Sequence, residues 1–353
     1  MPDRIAVSGI EFIEFAADQR EAGELGGLLR QLGFRRAGHH IAKDVELYRQ
    51  GDINIVVNSE PEGFAHSSYL MHGTAVCDLG LKVEDAAATV ERARALGADL
   101  FEQPVGPGEL KIPAIRGVGG GIMHFIDDRS DLGRVWEIEF DPVEDSQAPA
   151  EVGLLSVDHI AQTMRYEEML TWLLFYTSIF RTHKTPMVDV VDPAGLVRSQ
   201  VIENAEGTLR ITLNGAENRR TLAGRFITES FGSAVQHIAF HTGDIFATWE
   251  RLTDRGFEPL EISPNYYDDL DARFALDEEL LERLRAANIL YDRDEHGEYF
   301  QLYSPNHGEG FFFEIVERRG GYGGYGAANA QFRIAAQKRA LERKSVPLAL
   351  GQR

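Results

Sequence analysis

Residues 10–15 (IEFIEF), rich in isoleucine and phenylalanine, read as a strand, whereas residues 23–32 set their apolar positions on one helical face and stop at Gly33. Strand-like runs follow at 45–48 and 53–58, so the first unit reads β-α-β-β. A second unit opens with a strand at 75–83, continues as a helix over 85–96 ended by Gly97, and finishes with strands at 121–126 and 135–140. The acidic, proline-containing stretch 141–151 has no periodicity and reads as a linker. The order then recurs, with a strand at 154–161, a helix at 167–179, and strands at 196–203 and 209–213. A last unit supplies a strand at 235–241, a helix at 245–255, and strands at 300–303 and 311–316. Residues 268–288 insert a helical piece, and 327–343 reads as a closing helix. The expected architecture is α+β, four βαβββ-like units in two pairs, with one domain over 1–145 and a second over 152–345.

Two of these units can be overlaid without a gap. HGTAVCDLGLKVEDAAATVERARALGADL, from His72, lies on FGSAVQHIAFHTGDIFATWERLTDRGFEPL, from Phe231, so that Gly73, Asp85 and Gly97 recur as Gly232, Asp244 and Gly256. In that overlay Asp78 faces His237; matching the strand openings sets Glu11 opposite His159, and matching GIMHFI with EYFQLY sets Glu137 opposite Glu314. Only the later half then holds two histidines and a carboxylate at these positions. Two imidazoles and one carboxylate can take one face of a metal ion and leave the other positions for substrate and dioxygen. Fe(II) suits that set best, with Mn(II), Co(II), Ni(II), Zn(II) and Mg(II) left open by ligand type alone. A lone strand histidine is more often a hydrogen-bonded core residue. Glu314 differs, because it sits inside FFFEIV, where an unpaired carboxylate is costly and needs a cation.

Composition narrows the partners. The 353 residues carry 56 acidic against 36 basic side chains, a formal charge of −20, which argues against nucleic acid. The single cysteine, Cys77, lies in an apolar run and reads as a buried, inert thiol without disulfide or thiolate cluster. No apolar run reaches membrane-spanning length and the start has no leader pattern, so a cytoplasmic protein without membrane partner is expected, with a homo-oligomer left open. The glycines at 117–121 read as a turn between strands, RRGGYGGYG from Arg318 as a hinge for the closing helix, and the acids between Asp268 and Glu279 as a solvated helical face.

The segments EFIEF, KDVELYRQGDINIVVNSEP, GPGELKIPAIRGVGG, VDHIAQ, VQHIAF, YYDDL and FFFEIVERRG resemble the 4-hydroxyphenylpyruvate dioxygenase-like family of the vicinal oxygen chelate superfamily over nearly the whole chain. The resemblance implies two vicinal-oxygen-chelate barrels, each from paired βαβββ units, with a C-terminal closing helix. It implies that His159, His237 and Glu314 bind catalytic iron while the N-terminal barrel is degenerate and metal-free. The implied reaction is oxidation of a small 2-oxo acid by dioxygen. Asn214 in TLNGAEN and Gln301 in YFQLY match substrate-orienting positions of the family. Arg198 in GLVRSQV stands where the family carries a serine, AGRFITE lacks a glutamine near Arg225, and Ala330 replaces the phenylalanine of the closing-helix motif. With Arg198 as a substrate-binding cation, these departures imply a small anionic 2-oxo or ring-bearing acid other than hydroxyphenylpyruvate. GLVRS, LNGAEN, NYYDDLDARF, ILYDRD and GYGGYGAANA are similar to the dioxygenase-like half of bacterial 3-dehydroshikimate dehydratases, which is fused there to a TIM barrel not included in these residues. That similarity implies an alternative: a metal-binding, non-redox module or lyase of shikimate or quinate catabolism, giving protocatechuate.

Overall fold

The computed structural model describes residues 1–146 and 148–345, so Gln147 of the expected linker lies outside the described residues. The first unit runs β1 (Val7–Ala16), α1 (Gln19–Gln31), β2 (Arg35–His40), β3 (Val45–Gln50) and β4 (Ile53–Asn58). Helix α2 (Gly63–His72) leads to the second unit, β5 (Ala75–Val83), α3 (Ala86–Ala95), β6 (Leu100–Phe101), β7 (Ala114–Arg116) and β8 (Ile122–Ile126). A short α4 (Val135–Ile138) and β9 (Phe140–Pro142) end this half. The third unit comprises β10 (Leu154–Arg165), α5 (Tyr166–Ile179), β11 (His183–Lys184), β12 (Val188–Asp192), β13 (Gly195–Glu203) and β14 (Arg210–Ala216). Helix α6 (Leu222–Glu229) precedes the fourth, β15 (Ala234–Thr242), α7 (Ile245–Thr253), α8 (Pro264–Phe274), α9 (Glu278–Ala287), β16 (Leu290–Arg293), β17 (Gly297–Tyr303) and β18 (Phe312–Gly320), after which comes α10 (Ala330–Ser345).

The repeat has a local cause. Asp85 and Asp244 are the N-caps of α3 and α7, each accepting a hydrogen bond from the backbone N–H three residues on. Gly97 and Gly256 take the left-handed conformation that ends each helix, at φ +84° and +77°. In every unit the first strand runs parallel to the last, β1 with β4, β5 with β8, β10 with β14 and β15 with β18. Units join in pairs through antiparallel first strands, β1 with β5 and β10 with β15. The product is two curled mixed sheets, the α+β architecture of the vicinal oxygen chelate fold.

Both halves contribute to one apolar core. Phe34, just before β2, meets Phe240 of the second sheet at 5.5 Å between ring centroids, and Phe15 meets Phe311 at 5.4 Å. The loop at 117–121 is a turn, as expected, and touches the other half: a Cβ on Gly119 would lie 1.8 Å from the Ser233 carbonyl oxygen. Among the described residues no helix is long and apolar enough to cross a membrane.

One expected strand is wrong. Residues 135–138 form α4, not a strand; Trp136 and Phe140, four apart, bring their rings to 5.5 Å as a helical turn allows, and only Phe140–Pro142 enters the sheet, against β2. The pattern V-W-E-I-E-F also satisfies a period of two, which is why it misleads. Several short strands, among them β2, β6, β7 and β12, escape the pattern because they are brief or charged. The insertion at 268–288 resolves into α8 and α9.

Buried Gln50 ties the halves together. Its Nε2 donates to Leu32 O at 2.9 Å, and its Oε1 accepts from the backbone N–H groups of Val152, Gly153 and Leu154 at 2.8, 3.2 and 3.3 Å. Gln50→Ala leaves buried donors unsatisfied and is expected to cost about 3 kcal/mol of stability, measured as the shift of a urea melt followed by far-UV circular dichroism.

Candidate metal centre

Strand pairing decides which side chains meet. His159 of β10 and His237 of β15 lie on adjacent antiparallel strands, and Glu314 of β18 sits opposite Ala239, two residues beyond His237 on the next strand. Period-two alternation turns all three inward. His159 Nε2 and His237 Nε2 approach to 3.3 Å, and each lies 3.4 Å from Glu314 Oε2. The side chains are buried, with residues 4, 7 and 2% exposed. Three lone-pair donors from chain-distant strands thus face one point, and together they could hold a metal ion.

The surroundings orient these donors. Asp158 Oδ1 takes the other ring nitrogen of His159, Nδ1, at 2.8 Å, which leaves Nε2 for the centre. Asp158 is in turn gripped by Arg318, Nε to Oδ2 at 2.7 Å and Nη2 to Oδ1 at 2.9 Å, and Arg318 Nη1 donates to Gly324 O at 2.7 Å. Burial opposes ionisation of Asp158, but the hydrogen bonds and charge of Arg318 hold its carboxyl well below the usual range. Burial likewise opposes protonation of His159, yet its bonds to Asp158 and Glu314 raise it to about 9. His237 goes the opposite way: burial first, then the charges of His159 and Arg333, keep it neutral. Gln301 Nε2 donates to Glu314 Oε1 at 2.9 Å, and Asn329 Nδ2 donates to Gln301 Oε1 at 2.8 Å.

A cavity of about 70 Å³ lies over the triad, lined among others by Ser199, Thr212, Asn214, Gln301, Ala330 and Arg333. Asn214 and Gln301 therefore meet the triad as the sequence suggests. Arg198 does not. On β13 it faces away from the cavity, paired with Glu217 at 2.9 Å and Asp189 at 3.4 Å, while its neighbour Ser199 lines the cavity. One residue along a strand reverses the face. The cation beside the triad is Arg333 of α10, which sequence reasoning missed. Its guanidinium lies 5.0 Å from the Phe312 ring centroid and donates to Gln337 Oε1 at 2.7 Å; among the described residues it has no carboxylate partner. Ala330, Arg333 and Ile334 share one helical face, and that i, i+3, i+4 spacing was available in AANAQFRI.

Comparison with known proteins identifies the family. Residues 2–141 match the family described as hydroxyphenylpyruvate dioxygenase, HPPD, N-terminal, and residues 156–301 the glyoxalase/bleomycin resistance protein/dioxygenase superfamily. The chain is 32% identical to 4-hydroxyphenylpyruvate dioxygenase of Pseudomonas aeruginosa over 92% of both proteins. It belongs to the 4-hydroxyphenylpyruvate dioxygenase family. It is also 42% identical to a 3-dehydroshikimate dehydratase of Pseudomonas putida over 96% of this chain and 53% of that protein. Among solved structures, a xylose isomerase-like TIM barrel/4-hydroxyphenylpyruvate dioxygenase fusion protein superposes with a TM-score of 0.83 at 41% identity, covering 96% of this chain and 53% of that one. The chain thus spans about half the length of the curated dehydratase it matches.

Within this family fold, register corrects two of the expected equivalences. His159 pairs with Ala239 as Phe12 pairs with Gly80, so Phe12, not Glu11, stands in the place of His159. Glu314 pairs with Ala239 as His124 pairs with Gly80, so His124, not Glu137, stands in the place of Glu314. Glu137 instead lies in α4, exposed and paired with Arg134. The overlay of Asp78 on His237 holds, since each is two residues before that glycine or alanine.

Asp158→Asn keeps the shape but loses the charge that orients His159, and is expected to weaken metal binding about 10–100-fold, measured by titration with Co(II). After chelator treatment His159 holds its proton below pH of about 9, so metal uptake displaces a proton and strengthens as pH rises toward that value. Proton release in buffers of different ionisation enthalpy checks the sign.

Proposed function

We propose that this chain is a non-haem Fe(II) dioxygenase acting on a small anionic organic acid, of 2-oxo or ring-bearing type, with His159, His237 and Glu314 as the metal ligands. The observation that carries the reading is the convergence of two imidazole nitrogens and one carboxylate oxygen within 3.4 Å in a buried site. Such a set needs a cation between its lone pairs, and imidazole with carboxylate suits Fe(II) among divalent metals. Bound Fe(II) would supply the redox chemistry by which dioxygen attacks an organic acid held beside it.

The chain's own residues supply binding and orientation. Arg333 faces the cavity without an acid partner and anchors the substrate's anionic group, with Asn214, Ser199 and Thr212 as polar contacts along the strands. Thr212 Oγ1 is buried and has no partner of its own, which leaves it a hydrogen bond to give. Gln301 holds Glu314 rather than pointing freely at a ligand, so its part is to orient the carboxylate. Arg198, outside the cavity, has no direct part in this reading. At about 70 Å³ the cavity is below the ~300–1,000 Å³ of pockets for drug-sized ligands. That limit, and Ala330 in place of an aromatic ring, favour a compact acid. The one buried thiol, Cys77, fits a cytoplasmic setting.

A second reading rests on the dehydratase relatives: a metal-binding partner or lyase module for dehydration of 3-dehydroshikimate. Oxygen separates the two. On the dioxygenase reading, iron-loaded protein consumes oxygen with one or more of a panel of arylpyruvates, aliphatic 2-oxo acids and hydroxylated ring carboxylates, and His237→Ala abolishes uptake. Arg333→Gln raises KM about tenfold or more, with a smaller change in kcat. Silence across the panel with full iron occupancy overturns this reading, and anaerobic formation of protocatechuate from 3-dehydroshikimate, alone or with a separate barrel protein, favours the second.

A further inference from the structure

A cavity larger than the one over the triad lies in the other half. It measures about 1280 Å³ and opens from the curl of the first sheet. Its floor holds Glu14, Asp78 and His124, at and beside the positions that the metal centre occupies in the second sheet. Asp78 sits where His237 does, and Glu14 lies directly across from it on β1, where the second half has Ala161 facing His237. The first half has thus gained a carboxylate exactly where alternation points it inward.

These two acids share one basic neighbour, His124: burial opposes its proton, but the charge and hydrogen bond of Asp78 raise its pKa above the ordinary value. Asp78 is 3% exposed; its Oδ2 bonds His124 Nδ1, while its Oδ1 is buried and has no partner. Glu14 accepts only from Asn58 Nδ2 at 2.9 Å and, more distantly, from Cys77 Sγ at 3.7 Å. Among the described residues neither carboxylate meets a lysine or arginine. Three basic side chains of the lining are engaged elsewhere, Lys43 with Glu109 at 3.0 Å, Lys111 with Glu102 at 3.4 Å, and Arg116 over the rings of Phe64 and Phe101, while Arg94 lines the cavity from α3. The walls above the acids are aromatic, with Phe12 edge-on to Trp136 at 5.8 Å and Phe101 edge-on to His124 at 6.4 Å. The second-sheet triad brings three donor atoms together; Glu14, Asp78 and His124 form no such group, which disfavours a metal ion.

We propose that this cavity is a second binding site, for a small organic cation: an amine on an aromatic or apolar body, its ammonium between Glu14 and Asp78 and its body against Phe12, Phe101 and Trp136. The charge match and the aromatic walls act together, since an ammonium is attracted both by the carboxylates and by ring faces. The site is independent of the metal centre, so its test does not depend on the dioxygenase reading.

Calorimetry on the full chain with phenethylamine, 2-phenylethanol and phenylacetate tests it. The amine is expected to bind at least tenfold tighter than the alcohol or the acid, to weaken at least tenfold in Glu14→Gln, and to be unchanged in His237→Ala. Burial, then the charge of Asp78, raise Glu14 to about 7 against the opposing bond from Asn58 and the charge of His124. Amine affinity is therefore expected to rise between pH 6 and 8 as Glu14 ionises. If Glu14→Gln fails to fold by circular dichroism, Phe101→Leu, on the wall, replaces it and must weaken the amine at least threefold. Absence of amine binding, equal binding of phenylacetate, indifference of the folded variant, or displacement of the amine by Mn(II) or Zn(II) in His237→Ala each overturns the proposal.

Discussion

Two ring nitrogens and a carboxylate oxygen within 3.4 Å of one another, shut away from water, repel unless positive charge lies among them. That constraint organises the second half of the molecule. The antiparallel contact of β10 with β15 sets the imidazoles side by side, and the parallel contact of β15 with β18 delivers the acid at the same level. Asp158 and Arg318 then fix which nitrogen of His159 faces inward, and Arg318 reaches on to Gly324 in the segment before α10. One chain of charge-assisted hydrogen bonds therefore runs from the closing segment to the donor atoms.

Much of this was legible in the residues. The gapless repeat located His237, because shared caps and helix stops at Asp85, Asp244, Gly97 and Gly256 keep the two units in register. Glu314 was legible because an acid inside FFFEIV contradicts its surroundings. Two of the failures share one cause. A strand reverses its faces at every residue, so an alignment off by one gave Glu11 for Phe12 and Arg198 for Ser199. Glu137 failed differently, since VWEIEF fits both periods and folded as a helical turn. Arg333 lies over a hundred positions beyond Arg198 in sequence and reaches the cavity only through the docking of α10, which no local pattern reports.

The two halves show how one scaffold diverges. Strand order and pairing are kept, yet the positions of His159, His237 and Glu314 hold Phe12, Asp78 and His124 in the first sheet. Replacing His159 by a phenyl ring removes a donor and adds apolar wall, and Glu14 adds charge at a level where the second sheet has Ala161. The fold therefore sets the location of a cavity, while side chains set the chemistry that lines it.

Access to the metal centre depends on α10 and the residues before it. Lys338 Nζ pairs with Asp192 Oδ1 at 2.6 Å, and Gln337 Nε2 donates to Asn306 Oδ1 at 2.8 Å, so the helix is pinned over the mouth of the cavity. Gly326, at φ +67°, lies so close to Gln301 that an added Cβ would fall 2.3 Å from its Oε1. Asn329 holds that same Oε1, and the other end of the Gln301 amide holds Glu314. This segment and the start of α10 form one wall of the cavity. Lifting it removes Asn329 from Gln301 and frees the amide that steadies Glu314. The position of this segment and the orientation of the carboxylate are therefore coupled, because a single glutamine side chain is bonded to both.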